Sequence, residues 1–201
     1  MTPTEQPEKQ WIAAYRKGDI DALGKLVEHF RRPLYAFILN MLQGRGDPED
    51  VFQEVWLKAI QHFDRYRDHQ FLSWLFRIAH NLIIDRFRRE KKENRAEERD
   101  LDPAGEGLIA SLPARGPTPD RQSAHADLGH RINAALAALP DDQREVFLMR
   151  TEGDVPFKEI AAIQGATLNT VLSRMHYALQ KLRPLLQEEY ANWSGEHRHE
   201  T

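Results

Sequence analysis

The sequence predicts an all-α protein with two small helical domains joined by a flexible linker, the second domain being a helix-turn-helix. Apolar residues recur every three or four positions along most of the chain, which is typical of amphipathic helices. No run of residues alternates in the manner of a strand. Seven glycines and prolines fall within 103–119, a density typical of a linker, so we expect the two domains to move independently.

The first half of the chain contains clear helix start signals. Asp19 can cap a helix whose apolar pattern is interrupted at Pro33. Asp47 and Pro48 predict the start of the next helix, because aspartate accepts hydrogen bonds from free backbone amides and proline fits the first turn.

The helix predicted from Phe71 to about Lys92 has two different faces. An apolar stripe is expected to pack in the core and consists of Phe71, Trp74, Leu75, Ile78, Leu82 and Ile83. The other face is polar. Asparagine can read a base edge, and a ring beside cations can stack an unpaired base, worth ~1–3 kcal/mol. The candidates on this face and in the preceding loop are Tyr66, His69, Ser73, Arg77, His80, Asn81 and Arg88.

The second half begins with a helix that Pro140 ends. Asp142 and Glu145 have the spacing of a capping box for the next helix, which is expected to stop near Gly153. A polar tail that frays after Tyr190 closes the chain.

Residues 157–176 fit a helix-turn-helix. Gly165 can end the first helix in the left-handed conformation, and Thr167 can cap the second. Val171 and Met175 would face the core. In such units the N-terminal part of the second helix enters the major groove of DNA, and a plain helical hairpin is the alternative. The exposed positions are Asn169, Thr170, Ser173, Arg174, His176 and Tyr177.

Composition and charge exclude several classes of protein. Of 201 residues, 41% are hydrophobic and none is cysteine, which excludes disulfide scaffolds, cysteine-ligated zinc and thiol catalysis. No stretch could cross a bilayer and no secretory signal is visible, so we expect a cytoplasmic protein without membrane insertion and without a cofactor.

The net charge of −3 conceals a basic first half. Residues 1–95 contain 17 Lys and Arg against 14 Asp and Glu. The cations concentrate at Arg86, Arg88, Arg89, Lys91 and Lys92. This cluster favours local contact with a polyanion, and a solvated helix end is the alternative that the charges leave open.

Two blocks of sequence resemble the bacterial sigma-70 family, in its short extracytoplasmic-function (ECF) group. Residues 47–58 (DPEDVFQEVWLK) and 71–86 (FLSWLFRIAHNLIIDR) are similar to the family's D-x-E-D-x-x-Q-E-x-F/W-L and F-x-x-W-L-x-R-I-A-x-N helices. The second block runs from residues 136–148 (LAALPDDQREVFL) to 181–183 and resembles the family's C-terminal helix-turn-helix.

The resemblance implies an alternative sigma factor that directs RNA polymerase to promoters. Residues 1–95 would bind the β′ clamp helices of core RNA polymerase and the melted −10 strand, and residues 96–125 would form the linker. Residues 126–188 would bind the −35 element, followed by a polar tail at 189–201, and the β flap of core polymerase is a further expected contact. Core RNA polymerase and promoter DNA are the expected partners, and an anti-sigma factor is left open as a third.

The resemblance also assigns roles to residues. The polymerase-binding residues would be Asp50, Gln53, Glu54, Trp56 and Leu57. Except for Trp56, these lie three or four positions apart and therefore share one helix face. The −10 residues would be Tyr66, Arg67, Asp68, His69, Gln70, Arg77, His80, Asn81, Arg86, Arg88 and Arg89. The −35 residues would be the exposed positions of the second helix of the helix-turn-helix.

The sequence departs from the family pattern at two places. The loop between Arg67 and Phe71 is one residue short and lacks the usual glycine. Leu172 and Tyr177 stand where the family commonly has lysine or arginine, so we expect weaker or differently specified −35 contacts.

Three other functions are each compatible with part of the sequence. A LuxR-type regulator has a similar helix-turn-helix, but its usual sensory domain would require buried strands, which residues 1–95 do not show. A helical adaptor without DNA contact is a second alternative. A metallohydrolase would use His125, Asp127 and His130, or His197 and His199, in segments that offer no dry pocket. We therefore expect no enzyme.

Overall fold

The computed structural model describes residues 7–67, 70–100 and 132–196, and within these ranges the chain forms helices and no strand. The first domain consists of α1 (Pro7–Arg16), α2 (Ile20–Leu42), α3 (Pro48–Gln61), a 3-10 turn (Phe63–Arg65) and α4 (Phe71–Asp100). The second consists of α5 (132–137), α6 (Asp141–Gly153), α7 (Phe157–Gln164) and α8 (Leu168–Glu196). The all-α prediction is confirmed.

The core of the first domain is centred on α2, which packs against α1, α3 and α4. Leu34 and Phe37 of α2 are completely buried, as are Leu75 and Phe76 of α4. The rings of Phe37 and Phe76 lie 4.7 Å apart. Each of these side chains contributes about 1.5–3 kcal/mol by leaving water, so the apolar stripe of α4 fixes the helix against the domain.

The helix start signals of the first domain are confirmed. The carboxylates of Asp19 and Asp47 each accept a hydrogen bond from the backbone N–H two residues on, at 3.1 and 2.8 Å. Pro33, in contrast, does not interrupt its helix, and α2 continues through it to Leu42. Losing a backbone hydrogen bond at a proline inside a helix costs about 3 kcal/mol. The burial of apolar side chains before and after Pro33 offsets this loss.

Two helices are longer than the sequence pattern predicts. The backbone of α4 continues past Lys92 to Asp100, beyond the boundary expected at residue 95. The backbone of α8 is helical to Glu196 and includes residues expected to fray. The rest of the predicted linker lies outside the described residues.

The predicted capping box of α6 does not form. Pro140 precedes the helix and no side chain caps its N-terminus. Asp142 lies inside the helix instead of preceding it. The carboxylate of Glu145 lies close to His80 of the first domain and accepts a hydrogen bond from Gln164, so it is not available to the helix end.

A buried arginine joins α5 to α6. The guanidinium of Arg144, 3% exposed, donates to the carbonyls of Leu136, Ala137 and Leu139 at 2.8, 3.2 and 2.6 Å. It also donates to the Asp141 carboxylate at 2.9 Å. Burial lowers the pKa of Arg144, and the charge of Asp141 opposes that effect. The arginine thus satisfies carbonyl groups at the end of α5 that have no partner inside the helix.

The two domains pack against each other in the structure, contrary to the expectation of independent domains. Helices α2 and α4 contact α6, and α4 also contacts α7. Gly153, the last residue of α6, lies so close to Phe76 that a Cβ atom there would stand 2.4 Å from the ring. The absence of a side chain at this position therefore allows α6 to approach α4.

Replacing Arg144 with alanine should lower the free energy of unfolding by about 3–5 kcal/mol, because buried carbonyl groups and a carboxylate lose their donor. Denaturant unfolding of the full chain measures the loss. Glu152→Ala, at an exposed position of the same helix, is the control and should change stability by less than about 0.5 kcal/mol. Equal effects of the two substitutions would contradict the role given to Arg144.

Candidate polymerase and nucleic-acid interfaces

The outward face of α3 carries four of the five residues predicted to bind polymerase. Asp50, Gln53 and Leu57 are exposed, and Leu57 is an apolar side chain with 59% of its surface in water. Glu54 lies at the edge of this face, partly buried. The prediction that these residues share one face is confirmed by their exposure.

Trp56 is a correction to the predicted polymerase face. Its side chain is 5% exposed and packs between the rings of Phe52 and Phe71, at 6.4 and 6.2 Å. Trp56 therefore packs in the core beneath the outward face of α3. Ile60, 39% exposed, extends the face instead and was missed, although its spacing of three from Leu57 could have indicated it.

An ion pair joins α3 to α4. The Arg86 guanidinium donates to the Glu54 carboxylate at 2.8 Å, and Lys58 lies 3.9 Å from the other oxygen of Glu54. Arg86 was predicted to hold DNA phosphate and Glu54 to bind polymerase. The pair shows that the two predicted interfaces meet at this point, and it fixes both side chains.

The outward face of α4 presents Arg77, Asn81 and Arg88, which are spaced by four and seven residues and therefore align along the helix. All three side chains are exposed. Arg88 lies 3.7 Å from the carboxylate of Asp85, which shares the face, and Arg89 is exposed one residue further on. The face combines an amide with several guanidinium groups, which can contact base edges and phosphates respectively.

Tyr66 is a second correction, because its ring is not available to stack a base. The side chain is buried, with its ring 5.1 Å from that of Phe71 and 5.3 Å from that of Trp74. The guanidinium of Arg16 lies over the same ring and donates to the Tyr66 carbonyl at 2.8 Å. The ring of Tyr66, which was expected to contact DNA, packs instead against other aromatic rings of the domain.

The rest of the predicted base-binding loop is described in part. Arg67 is exposed and donates to the carbonyl of Asp64 at 2.7 Å. Gln70 is exposed and accepts a hydrogen bond from Ser73 at 3.1 Å, while Ser73 itself is buried and not on the polar face. Asp68 and His69 lie outside the described residues.

His80 is a third correction. It lies on the flank of α4 that faces the second domain, and its Nδ1 is 2.5 Å from Oε1 of Glu145. Its side chain is only 16% exposed. The imidazole therefore contacts α6, while its neighbour Asn81 faces outward.

The helix-turn-helix prediction is confirmed in its geometry. Gly165 ends α7 with φ of +61°. The hydroxyl of Thr167 accepts a hydrogen bond from the backbone N–H of Thr170 at 3.2 Å, as an N-cap does. Val171 is completely buried and Met175 packs against the core. Of the residues predicted to contact the −35 element, the exposed ones are Asn169, Thr170, Ser173, His176 and Tyr177.

Arg174 is a fourth correction, because its guanidinium is paired with other side chains of the protein and its side chain is only 25% exposed. Nη1 donates to the side-chain oxygen of Gln164 at 2.7 Å, and Nε lies 2.8 Å from the Asp142 carboxylate. The cation is thereby neutralised and positioned toward α6 and α7. The rest of the predicted −35 surface consists of hydroxyl, amide and aromatic groups and one imidazole.

The described ranges contain no group of three His, Asp or Glu side chains that could hold a metal ion. The histidines and the aspartate of the metallohydrolase alternative lie outside these ranges. None of the helices in the part of the chain that the structure describes is long and apolar enough to cross a membrane.

Two solved structures share this fold. The chain is similar to the sigma factor RpoE from Bartonella quintana, solved in complex with the anti-sigma factor NepR, with a TM-score of 0.58 and 24% identity over 84% of this chain and 98% of that one. It is equally similar to CnrH, solved with the cytosolic domain of CnrY, with a TM-score of 0.58 over 90% of this chain and 97% of that one.

Relatives of known function extend the comparison to the sequence. The ECF RNA polymerase sigma factor SigW of Bacillus subtilis is 28% identical over 181 residues, which cover 90% of this chain and 97% of SigW. The ECF sigma factor SigK of Mycobacterium tuberculosis is 29% identical over 175 residues, or 84% of this chain and 87% of SigK.

Family models match both domains. Sigma-70 region 2 matches residues 26–93, and sigma-70 region 4 matches residues 129–182. The LuxR-type alternative is not supported, because the match to region 2 accounts for most of the first domain. The chain, with the faces of α3, α4 and α8 described above, therefore belongs to the sigma-70 family, in its ECF group.

Proposed function

We propose that this ECF sigma factor binds core RNA polymerase through the outward face of α3, holds the melted −10 strand on the outward face of α4 and reads the −35 element with α8. The observation that supports this assignment best is the exposure of Arg77 and Asn81 on a helix whose opposite side is fixed in the core. Such exposed groups are available to bind an external ligand and do not contribute to the core.

The face of α3 has the composition of a protein interface. Leu57 and Ile60 provide an apolar centre, and Asp50 and Gln53 provide a polar rim. An exposed leucine beside an exposed isoleucine marks a surface that gains free energy when a partner covers it. We assign this surface to the β′ clamp helices of core polymerase.

The face of α4 suits single-stranded DNA. The amide of Asn81 can donate to and accept from one base edge, which is accessible only after the duplex has opened. Arg77 and Arg88 flank the amide and provide charge for phosphates. Unstacking a base costs a few kcal/mol, so contacts available only to the opened strand favour melting.

The face of α8 reads DNA with few cations. Asn169, Thr170 and Ser173 lie in the first turns of the helix, the part that enters the major groove in such units. Since each neutralised phosphate contributes about −0.9 to the slope of log affinity against log salt, this domain should show a shallow salt dependence. Specific contacts to base edges are then its main contribution.

The proposed partners are core RNA polymerase, with the β flap as the site for the second domain, and promoter DNA. We add an anti-sigma factor, because the similar RpoE structure is a complex of a sigma factor with an anti-sigma factor. The proposed place of action is the cytoplasm, and no catalytic activity is assigned to the chain itself.

Replacing Gln53 and Leu57 together with alanine should weaken binding to core polymerase by at least about tenfold, since truncating a side chain at the centre of an interface, as Leu57 is, can cost about 2 kcal/mol, and the loss of the Gln53 amide at the rim adds to it. Titration of labelled sigma factor with core enzyme measures the affinity. Glu54 is left intact because its pair with Arg86 is structural.

The matched control for this substitution is Lys25→Ala with Glu28→Ala, two exposed positions of α2. Both double variants should retain the helical content of the parent, because alanine favours helix. Unchanged core affinity in the α3 variant would remove this face from the proposal.

Asn81→Ala should reduce the fraction of open promoter complexes about 5- to 150-fold where opening is marginal, because one base contact is worth about 1–3 kcal/mol. It should leave initial duplex binding almost unchanged. Permanganate footprinting with core polymerase, on duplex and on pre-melted promoter at matched occupancy, separates the two steps.

The contrasting variant is Asn169→Ala on α8, an asparagine removed from the other DNA face. It should weaken the initial complex and leave opening of the bound complex unchanged. If Asn81→Ala opens duplex promoter as well as the parent does, the α4 face does not capture bases.

A further inference from the structure

Two leucines are exposed in the first turns of α8, among the polar residues proposed to read the −35 element. Leu168 and Leu172 leave 46% and 43% of their surface in water. They lie four positions apart and therefore share one flank of the helix. The N-cap at Thr167 and the complete burial of Val171 fix the rotation of these turns, so both leucines are held on this flank.

Leu172 is a direct neighbour of the polar residues on the outward face of α8. It lies three positions after Asn169, and side chains at this spacing have Cβ atoms about 5–6 Å apart. The exposed Ser173 follows it in the chain. Successive base pairs of B-DNA are about 3.4 Å apart. A helix that brings the Asn169 amide to one base pair therefore brings Leu172 to that pair or to one within two steps of it.

The chemistry of these turns suits the edges of bases better than phosphates. None of residues 168–173, which the structure describes, carries a charge. The guanidinium of Arg174, the next residue, is bound to Asp142 and Gln164. A leucine side chain has no group that binds phosphate. In the major groove its chemical counterpart is the 5-methyl group of thymine, which the other three bases of DNA lack.

We propose that Leu172 is a specificity-determining residue that reads a thymine of the −35 element by covering its 5-methyl group. The inference rests on the proposed function, because it assumes that α8 enters the major groove. The thymine lies within two base pairs of the base that Asn169 contacts, and Leu168 extends the apolar flank toward the start of the helix. Contact between the leucine and the methyl group removes apolar surface of both from water.

A protein partner is the other occupant that an exposed apolar flank could have. The turns that carry Leu172 also carry Asn169 and Ser173, whose polar groups need hydrogen-bond partners once they are covered. Base edges supply donors and acceptors beside a methyl group, whereas an apolar protein surface would leave the amide and the hydroxyl unpaired. The mixture of amide, hydroxyl and leucine therefore favours DNA at these turns.

Removal of single thymine methyl groups tests the proposal. Holoenzyme formed from core polymerase and the full chain first selects promoters from a library of random duplexes. Deoxyuridine, which lacks only the 5-methyl group, then replaces each thymine of the selected −35 element in turn. At one position the holoenzyme should bind thymine about fourfold more tightly, which corresponds to about 0.8 kcal/mol for one buried carbon group. Equal binding at every position would overturn the proposal.

Leu172→Ala should abolish the difference between thymine and deoxyuridine, because the methyl group loses its contact. Leu179→Ala is the matched control, since Leu179 is also an exposed leucine of α8 but lies two turns beyond Leu172. The control should keep the fourfold difference. If holoenzyme with Leu172→Ala still prefers thymine, another side chain reads the methyl group and the assignment is wrong.

Leu172→Arg provides a second readout that does not depend on base preference. A guanidinium at the edge of the groove can engage a phosphate, so the slope of log affinity against log salt should become steeper by about 0.9. The preference for thymine over deoxyuridine should disappear. A variant with the parent's slope and the parent's preference would show that this position does not lie at the DNA.

Asn169→Ala separates this inference from the proposed function. If this variant changes the selected −35 element while deoxyuridine has no effect on the parent, α8 reads DNA and the role of Leu172 is refuted. If neither Asn169→Ala nor Leu172→Ala changes the selected sequence, the proposed function of α8 fails and the inference falls with it. If Leu172→Ala weakens binding to core polymerase and leaves DNA selection unchanged, the flank binds protein and the proposal is overturned.

Discussion

The burial of the apolar stripe of α4 sets the rotation of that helix, and every interface of the first domain depends on it. Leu75 and Phe76 are completely enclosed. With 3.6 residues per turn, this fixes Arg77 and Asn81 outward and turns His80 toward α6. A shift of one residue would rotate the helix by about 100° and exchange these faces. One helix thus serves the core, the proposed DNA surface and the second domain.

The second domain depends in a similar way on α6. Arg144 secures α5 on one side of this helix, and the carboxylates of Glu145 and Asp142 pair with His80 of α4 and Arg174 of α8 on other sides. The carboxylates at the start of a helix also benefit from its positive end. The same charges therefore stabilise the helix and bind the cations of its neighbours, which explains how so short an element can connect two domains.

Local chemistry made part of this architecture predictable. The cap at Asp47 and the turn at Gly165 depend on neighbouring residues alone, and both were visible in the sequence. The capping box expected at Glu145 also rested on a local sequence pattern. The Glu145 carboxylate instead contacts His80, 65 positions away, and accepts a hydrogen bond from Gln164. Trp56, Tyr66 and Arg174 follow the same rule: the sequence shows what each side chain can do, but only the fold decides which neighbour it meets.

The internal use of Arg174 explains the neutral character of the proposed −35 surface. With that guanidinium bound to Asp142 and Gln164, the exposed face of α8 relies on hydroxyl and amide groups. Such groups discriminate between bases but attract the DNA backbone weakly. Affinity for a promoter must then come from elsewhere, and core polymerase is the natural source because it brings both DNA-facing helices to one molecule of DNA. A −35 surface with so little positive charge therefore depends on the holoenzyme to bring it to a promoter.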